Sequence, residues 1–496
     1  MKKIFTIVAF AIFTLNLNAQ TRYLDEVFDE VTITQDVAYG MNATVLYVSV
    51  FGEAVPEVLN MDIYEPTGDT ETARPFMIYA HTGNFLPTPT NGSPSGTKRD
   101  SIAVEICTRY AKMGYVVASI DYRLGWNPLA DTQDERINLL INAVYRAVQD
   151  ARTAVRFFRV TEAELGNPYH IDPDKAVMWG QGSGGYIALA AATLNDPEEL
   201  LLPKFIGENL FPMVNVSING DLYGTSVGIH PITGDTLCYE NHVGYSSDYN
   251  AYVNTGGALA DISWLEDGDA PIISFQSPTD PFAPYTTGTV IVPVVNLPVV
   301  EVHGSYLVQQ AQNTFGNNAS FPESSLSDPF TAQADANNDG FFGLFPILTD
   351  SPLNSSPWDW WAADNPNNEN GLATNPNMSA EIGRTYADTL QGYSAPRLAC
   401  ALGLSVGLDC PVVSVDEISL FEYNVYPNPT TDNITISSEE NIEAISVFNL
   451  LGELVVRQEN INTNSTIVNL SAMENGVYMV TITVDGLSSS KYVVKK

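Results

Sequence analysis

The stretch "DPDKAVMWGQGSGGYIALAAA", Asp172 to Ala192, constrains the fold more than any other. A short apolar run, Ala176 to Gly180, meets a cluster of glycines and then a segment of alanine, leucine and isoleucine. That order reads as a buried strand, a sharp turn and a helix. Glycines on both sides of the turn allow strand and helix to approach without a collision of β-carbons.

Four further runs read as strands buried on both faces: "PFMIYAH" (Pro75 to His81), "YVVASIDY" (Tyr115 to Tyr122), "PIISFQS" (Pro271 to Ser277) and "PVVEVH" (Pro298 to His303). "ERINLLINAVYRAVQDARTAVRFFRV", Glu135 to Val160, returns its apolar residues every three or four positions and is helical. Strand, helix, strand in that rhythm predicts an α/β fold, a mostly parallel sheet covered by helices. Asn, Gly, Pro, Ser and Asp dominate residues 200–265 and 322–376, which read as loop insertions.

Beyond Cys410 the texture changes to short alternating strands, "NITIS", "AISVFNLLGELVV", "STIVNLS", "GVYMVTITVDG" and "SKYVVKK". They predict a small all-β sandwich with no His or Cys on its strands. At the other end, "MKKIFTIVAFAIFTLNLNAQ" has two lysines, an apolar core and Ala19 before Gln20, the pattern of a signal peptide over 1–19. The expected organisation is therefore 1–19 signal, 20–410 α/β domain, and 411–496 linker and sandwich.

With 58 acidic and 22 basic residues the net charge is −36, a field that repels nucleic-acid phosphates and argues against such a partner. No segment after the leader reaches the roughly 18 apolar residues of a membrane span. Cys400 and Cys410 are spaced to close a short loop in an oxidising compartment, while Cys107 and Cys238 read as buried thiols. No His/Cys cluster points to a metal, and no motif calls for a cofactor. "DANNDG", Asp335 to Gly340, has the alternate oxygens of a calcium loop between Asp335 and Asp339, but Pro346 stands where the bidentate glutamate belongs, so an Asn/Asp turn is the better reading. "PWDWW", with Trp358, Trp360 and Trp361, either stacks on a ligand or plugs an insertion onto the core.

"LNMDIYEP", "RPFMIYAHTGNF", "GYVVASIDYRLG", "AVQDARTAVRFF" and "IDPDKAVMWGQGSGG" follow in order the esterase and lipase branch of the α/β-hydrolase family, which Leu59 to Gln310 resembles. "VYPNPTTDNITIS", "ISVFNLLGELV", "GVYMVTI" and "KYVVKK" resemble the type A sorting domain of the type IX secretion system, over Val415 to Lys496. That likeness implies export by the type IX machinery to the medium or the cell surface, and removal of the domain afterwards.

The hydrolase likeness implies a G-x-S-x-G nucleophile elbow. Gly180 takes its first glycine, Gly184 and Gly185 the last pair, and Gly182 the place of the serine. A glycine has no side chain to attack a carbonyl. A slip of one residue would make Ser183 the nucleophile. "HTGNF" resembles the oxyanion loop, with His81 and Gly83 kept and Thr82 and Asn84 replacing glycines; N–H groups near Gly83 and Ser183 would hold the oxyanion. Asp280 falls at the acidic triad position and His303, ending the next predicted strand, at the base. Two functions follow: a secreted carboxylic-ester hydrolase acting on a small or polymeric ester, or an inactive hydrolase-fold protein that binds an extracellular ligand or polymer.

Overall fold

The computed structural model describes residues 20–292, 297–411, 423–449, 454–484 and 487–496. The expected signal peptide, 1–19, lies outside them. The chain divides into two compact units, residues 1–411 and 412–496.

In the first unit β1 (Val31–Thr44), β2 (Val55–Pro66), β3 (Arg74–Ala80), β4 (Val116–Ile120), β5 (Ile171–Gln181), β6 (Ala251–Thr255), β7 (Ile272–Gln276) and β10 (Leu344–Pro346) form one sheet in the order β1-β2-β4-β3-β5-β6-β7-β10. The first two pairings are antiparallel and every later one is parallel. This is the mostly parallel sheet expected from the sequence.

Alternation along β3 explains why its whole length is apolar. Phe76, Ile78 and Ala80 face the core beneath α2 (Gln133–Leu165) and α3 (Ser183–Thr193), while Met77 and Tyr79 face α1 (Ser101–Lys112) and α5 (Ala380–Ala401). Each large apolar side chain removed from water in these layers contributes about 1.5–3 kcal/mol. Thr132 caps α2 by accepting the Glu135 N–H (3.1 Å), and Gly166 at φ 73° ends it. Arg123, just after β4, meets Asp150 of α2 through its backbone N–H (2.7 Å) and its guanidinium (2.9 Å), both side chains fully buried. The Cys400–Cys410 disulfide closes the end of α5, and Cys107 and Cys238 are buried thiols.

The sequence reading misplaced three strands. "PVVEVH" forms β9 (Leu297–His303), but β9 pairs with β8 (Thr287–Val292) in a separate two-stranded hairpin, with Pro298 and Glu301 exposed and Val299, Val300 and Val302 buried. β6, inside the sheet, and β10, at its edge, lie in the stretches read as insertions; each is short and flanked by polar turns that mask its signal. Asp335–Gly340 is an Asx turn: Asn338 Oδ1 accepts the Gly340 N–H (3.0 Å), and Asp339 accepts from Tyr306.

The second unit is a five-stranded antiparallel sheet of β11 (Tyr423–Tyr426), β12 (Asn433–Phe448), β13 (Leu454–Asn469), β14 (Gly476–Val484) and β15 (Leu487–Lys495). Register shifts between Ser437 and Ala444 bend β12, whose first half pairs with β11 and whose second half pairs with β14. The bent sheet closes over one apolar core that includes Ile434, Ile436, Ile445, Val468, Ile482 and Val493.

Candidate functional site

The carboxyl ends of β3, β5, β6, β7 and β10 open onto one crevice, where open parallel sheets place their ligands. The turn after β5 is the sharpest feature there. Gly182 holds φ 55°, ψ −116°, a conformation that L-residues rarely adopt, and α3 begins at once with Ser183. The close approach is enforced on both sides: a Cβ on Gly180 would lie 1.9 Å from the Gly184 carbonyl oxygen, and one on Gly184 would lie 2.0 Å from that of Ala80.

A Cβ on Gly182 would lie 2.2 Å from Thr82 Oγ1 and 2.9 Å from Thr82 Cβ. The space that an elbow side chain would fill is therefore occupied from across the crevice. Thr82 follows β3 in a loop whose next residues, Gly83, Asn84 and Phe85, all hold positive φ (125°, 58° and 56°). Asn84 keeps the left-handed backbone that a glycine would otherwise supply, fixed by Asn84 Nδ2 to the Asn91 carbonyl (2.9 Å) and by Trp126 Nε1 to its own carbonyl (2.8 Å).

Ser183 is buried at 6% exposure and already bonded. Its hydroxyl accepts the Asn84 N–H (3.1 Å) and lies 3.3 Å from the Tyr122 hydroxyl, which donates to the His81 carbonyl (2.9 Å). An N–H of the expected oxyanion loop is thus directed at Ser183 itself. His81 donates from Nδ1 to the Thr82 carbonyl (2.5 Å) and stacks on Tyr122, and burial pushes its imidazole towards the neutral form.

Asp280 stands after β7 as expected, with Oδ1 accepting the N–H groups of Phe282 (2.8 Å) and Ala283 (3.2 Å). Its other oxygen accepts from the Ser355 hydroxyl (3.1 Å), in the segment that follows β10. Desolvation pushes the carboxyl up to about 7 against these three hydrogen bonds. His303 is not its partner. His303 sits in the β8–β9 hairpin, its Nδ1 3.1 Å from the Thr287 hydroxyl and its backbone paired with Leu259. Among the described residues no imidazole hydrogen-bonds to Asp280 or to Ser183, and the fold brings Ser183 and Asp280, but not His303, to the crevice. The correction follows from the topology: the strand beyond β7 in the sheet is β10, so the residue that reaches Asp280 comes after β10.

Two cavities meet at this point. One, of about 130 Å³, is lined mainly by apolar side chains such as Phe85, Trp126, Val148, Leu194, Trp264 and Val302. The other, of about 360 Å³, is more polar, with Ser93, Asp359, Trp361, Asn370, Thr374 and Asn375 in its wall. Thr82, Asn84, Phe282, Ser355 and Ser356 line both, and among the described residues no Lys, Arg or His lines either. Burial and the nearby Asp100 push Asp359 up to about 7, opposed by hydrogen bonds from Ser95 (2.6 Å) and the Trp360 N–H (2.9 Å). The tryptophan cluster divides its work: Trp358 is fully buried in the core and Trp361 walls the polar cavity.

Sequence reasoning passed over Ser355, Ser356 and Asp359, which carry no motif and depend on recognising β10. Thr82 did leave a signal: the sequence resemblance expects a glycine at 82 and a hydroxyl residue at 182, and the chain has the reverse.

The sheet, the elbow turn and the facing loop define an esterase-like α/β-hydrolase fold, followed by a separate β unit. Residues 61–291 match the BD-FAE family model, and residues 424–496 match the secretion system C-terminal sorting domain, so an α/β-hydrolase domain and a sorting domain follow one another in the chain. Ulvan lyase NLR42 of Nonlabens ulvanivorans is 36% identical over 77 residues, which are 15% of this chain and 14% of that lyase. Among solved structures, Thermogutta terrifontis esterase 2 phosphoramylated by tabun is similar at 16% identity and a TM-score of 0.36, over 74% of this chain and 97% of the esterase. The propionate-bound form of that esterase gives 16% identity and 0.35, over 74% and 95%.

Proposed function

We propose that this exported protein uses its hydrolase fold to bind a ligand rather than to cleave an ester through a serine. The observation that carries the reading is Gly182, which holds the backbone of an elbow without a nucleophile while Thr82 fills the space of the missing side chain. Covalent ester hydrolysis needs a hydroxyl, a base within hydrogen-bond reach and a group to orient that base. Here Ser183 is bonded to Asn84 and Tyr122, and Ser355 takes the contact with Asp280 that a base would make. The adjoining cavities favour an amphipathic ligand. An apolar cavity of about 150 Å³ holds a benzene-sized group, close to the 130 Å³ of the apolar chamber. The polar cavity, with Asn370, Asn375 and the face of Trp361, suits a hydroxyl-rich portion such as a saccharide.

The sorting domain supports a place outside the cell or on its surface, with the type IX machinery as its partner during export. The test is exposure of the purified protein to a fluorophosphonate probe and to 4-nitrophenyl butyrate. Neither labelling nor turnover is expected. Labelling or turnover that disappears in Ser183→Ala would establish the esterase instead.

A further inference from the structure

We infer that Thr82 presents the hydroxyl that anchors the ligand, and that it does so by donating to the oxygen of a neutral carbonyl group that the protein leaves intact. The inference rests on the binding reading above and names the group recognised. Thr82 Oγ1 lies 2.2 Å from the ideal Cβ position of residue 182, within the volume of the absent elbow side chain. The hydroxyl has thus been moved from the elbow to the facing loop without leaving the crevice.

Three observations make it a ligand group rather than a structural one. The hydrogen bonds of Thr82 to described residues run through its carbonyl, which accepts from His81 and Tyr122, and none uses its hydroxyl. Thr82 lines both cavities and so stands where the apolar and polar parts of a ligand would join. The loop that carries it is fixed by the Asn84 and Trp126 contacts, so the hydroxyl is held in place before a ligand arrives. A carbonyl next to a ring-sized apolar group matches that junction in size and polarity.

The charge around the junction sets the ligand's own. Asp280 and Asp359 stand in or beside the walls, no cationic side chain among the described residues lines either cavity, and the chain carries a net charge of −36. A free carboxylate is disfavoured there. An ester, amide or ketone carbonyl is not.

The experiment uses the full chain and two uncharged probes of matched shape, propiophenone and propylbenzene, which differ in the carbonyl and which no hydrolase can cleave. Calorimetric titration of the unaltered protein should give about 3–10-fold tighter binding of the ketone, the worth of one neutral hydrogen bond. Thr82→Val, which keeps the shape, should erase the preference while leaving propylbenzene affinity unchanged, and Thr82→Ser should retain it. Binding of propylbenzene by the variants reports that the chamber is intact. A preference that survives in Thr82→Val, or absence of binding of either probe to the unaltered protein, overturns the inference. Turnover of 4-nitrophenyl butyrate would instead overturn the binding reading, which the ketone comparison does not touch.

Discussion

Ser355, from the segment after the last strand of the sheet, donates a 3.1 Å hydrogen bond to Asp280, from the loop after its neighbour β7. A hydroxyl thus holds the contact through which an acidic residue would orient an imidazole. This contact and the side-chain-free turn at Gly182 are the two features on which the proposed binding reading stands.

Rescue of esterase activity should accordingly need three changes. Gly182→Ser alone is expected to be inactive towards 4-nitrophenyl butyrate, because its Cβ meets Thr82 Oγ1 at 2.2 Å. Thr82→Gly with Gly182→Ser opens the space but leaves the new serine without a base. Adding Ser355→His should raise the rate by about 10²–10⁴-fold, the usual contribution of general-base catalysis. Turnover by the single variant would mean that the space is not blocked.

The buried carboxyls predict a specific pH dependence. Asp359 titrates near 7 in the folded protein, against about 3.9 for an unfolded aspartate. Above 7 the folded state holds a desolvated charge. As the pH falls from about 7 towards 4, the folded state takes up a proton that the unfolded chain does not, and stability is gained, by at most about 1.4 kcal/mol per pH unit for one such group. Asp100, Ser95, the Trp360 N–H and the Gln181 amide face this carboxyl. Thermal melts should therefore show Asp359→Asn stabilising the protein more at about pH 8 than at about pH 5. A difference that stays constant across that range would refute the assignment.

The Arg123–Asp150 pair is buried completely on both sides and ties the turn after β4 to the middle of α2. Asp150→Ala should cost about 3–5 kcal/mol in urea unfolding, because it strands a guanidinium in the core. Replacing both residues with apolar ones of similar volume should cost markedly less. Equal losses for the single and double variants would show that the cost is one of packing alone.

Much of the fold was legible because β3, β4, β7 and the second half of β5 are dominated by apolar residues and bounded by turns, and because the 3.6-residue period of α2 persists over many turns. β10 was not: Leu344–Pro346 is three residues long and lies in polar sequence, so local pattern gave no account of a strand stabilised by its pairing with β7. That omission led to the misreading of His303. β9 has the composition of a buried strand, and only long-range pairing distinguishes a hairpin ribbon from the next strand of a sheet. The elbow itself was readable to the residue, since the positive φ at 182 and the close approaches at 180 and 184 each demand glycine locally.

Opening the Cys400–Cys410 ring should be tolerated at a cost. A loop of this length restricts the unfolded chain by about 2–3 kcal/mol. Cys410→Ser should lower the urea midpoint by a corresponding amount, and adding a reductant to the unaltered protein should reproduce it. No change in midpoint would mean that the end of α5 is secured by packing alone.

The β8–β9 hairpin provides Val290, Ile291, Val300 and Val302 to the wall of the apolar chamber, while Thr82 and the turn at Gly182 directly follow two strands of the main sheet. One of the pieces of chain that shape the chamber is therefore separate from the piece that holds the central hydroxyl. Substitution in the ribbon can reshape the chamber while the glycine geometry of the turn stays fixed. The scaffold is thereby suited to diversify in what it recognises without rebuilding its frame.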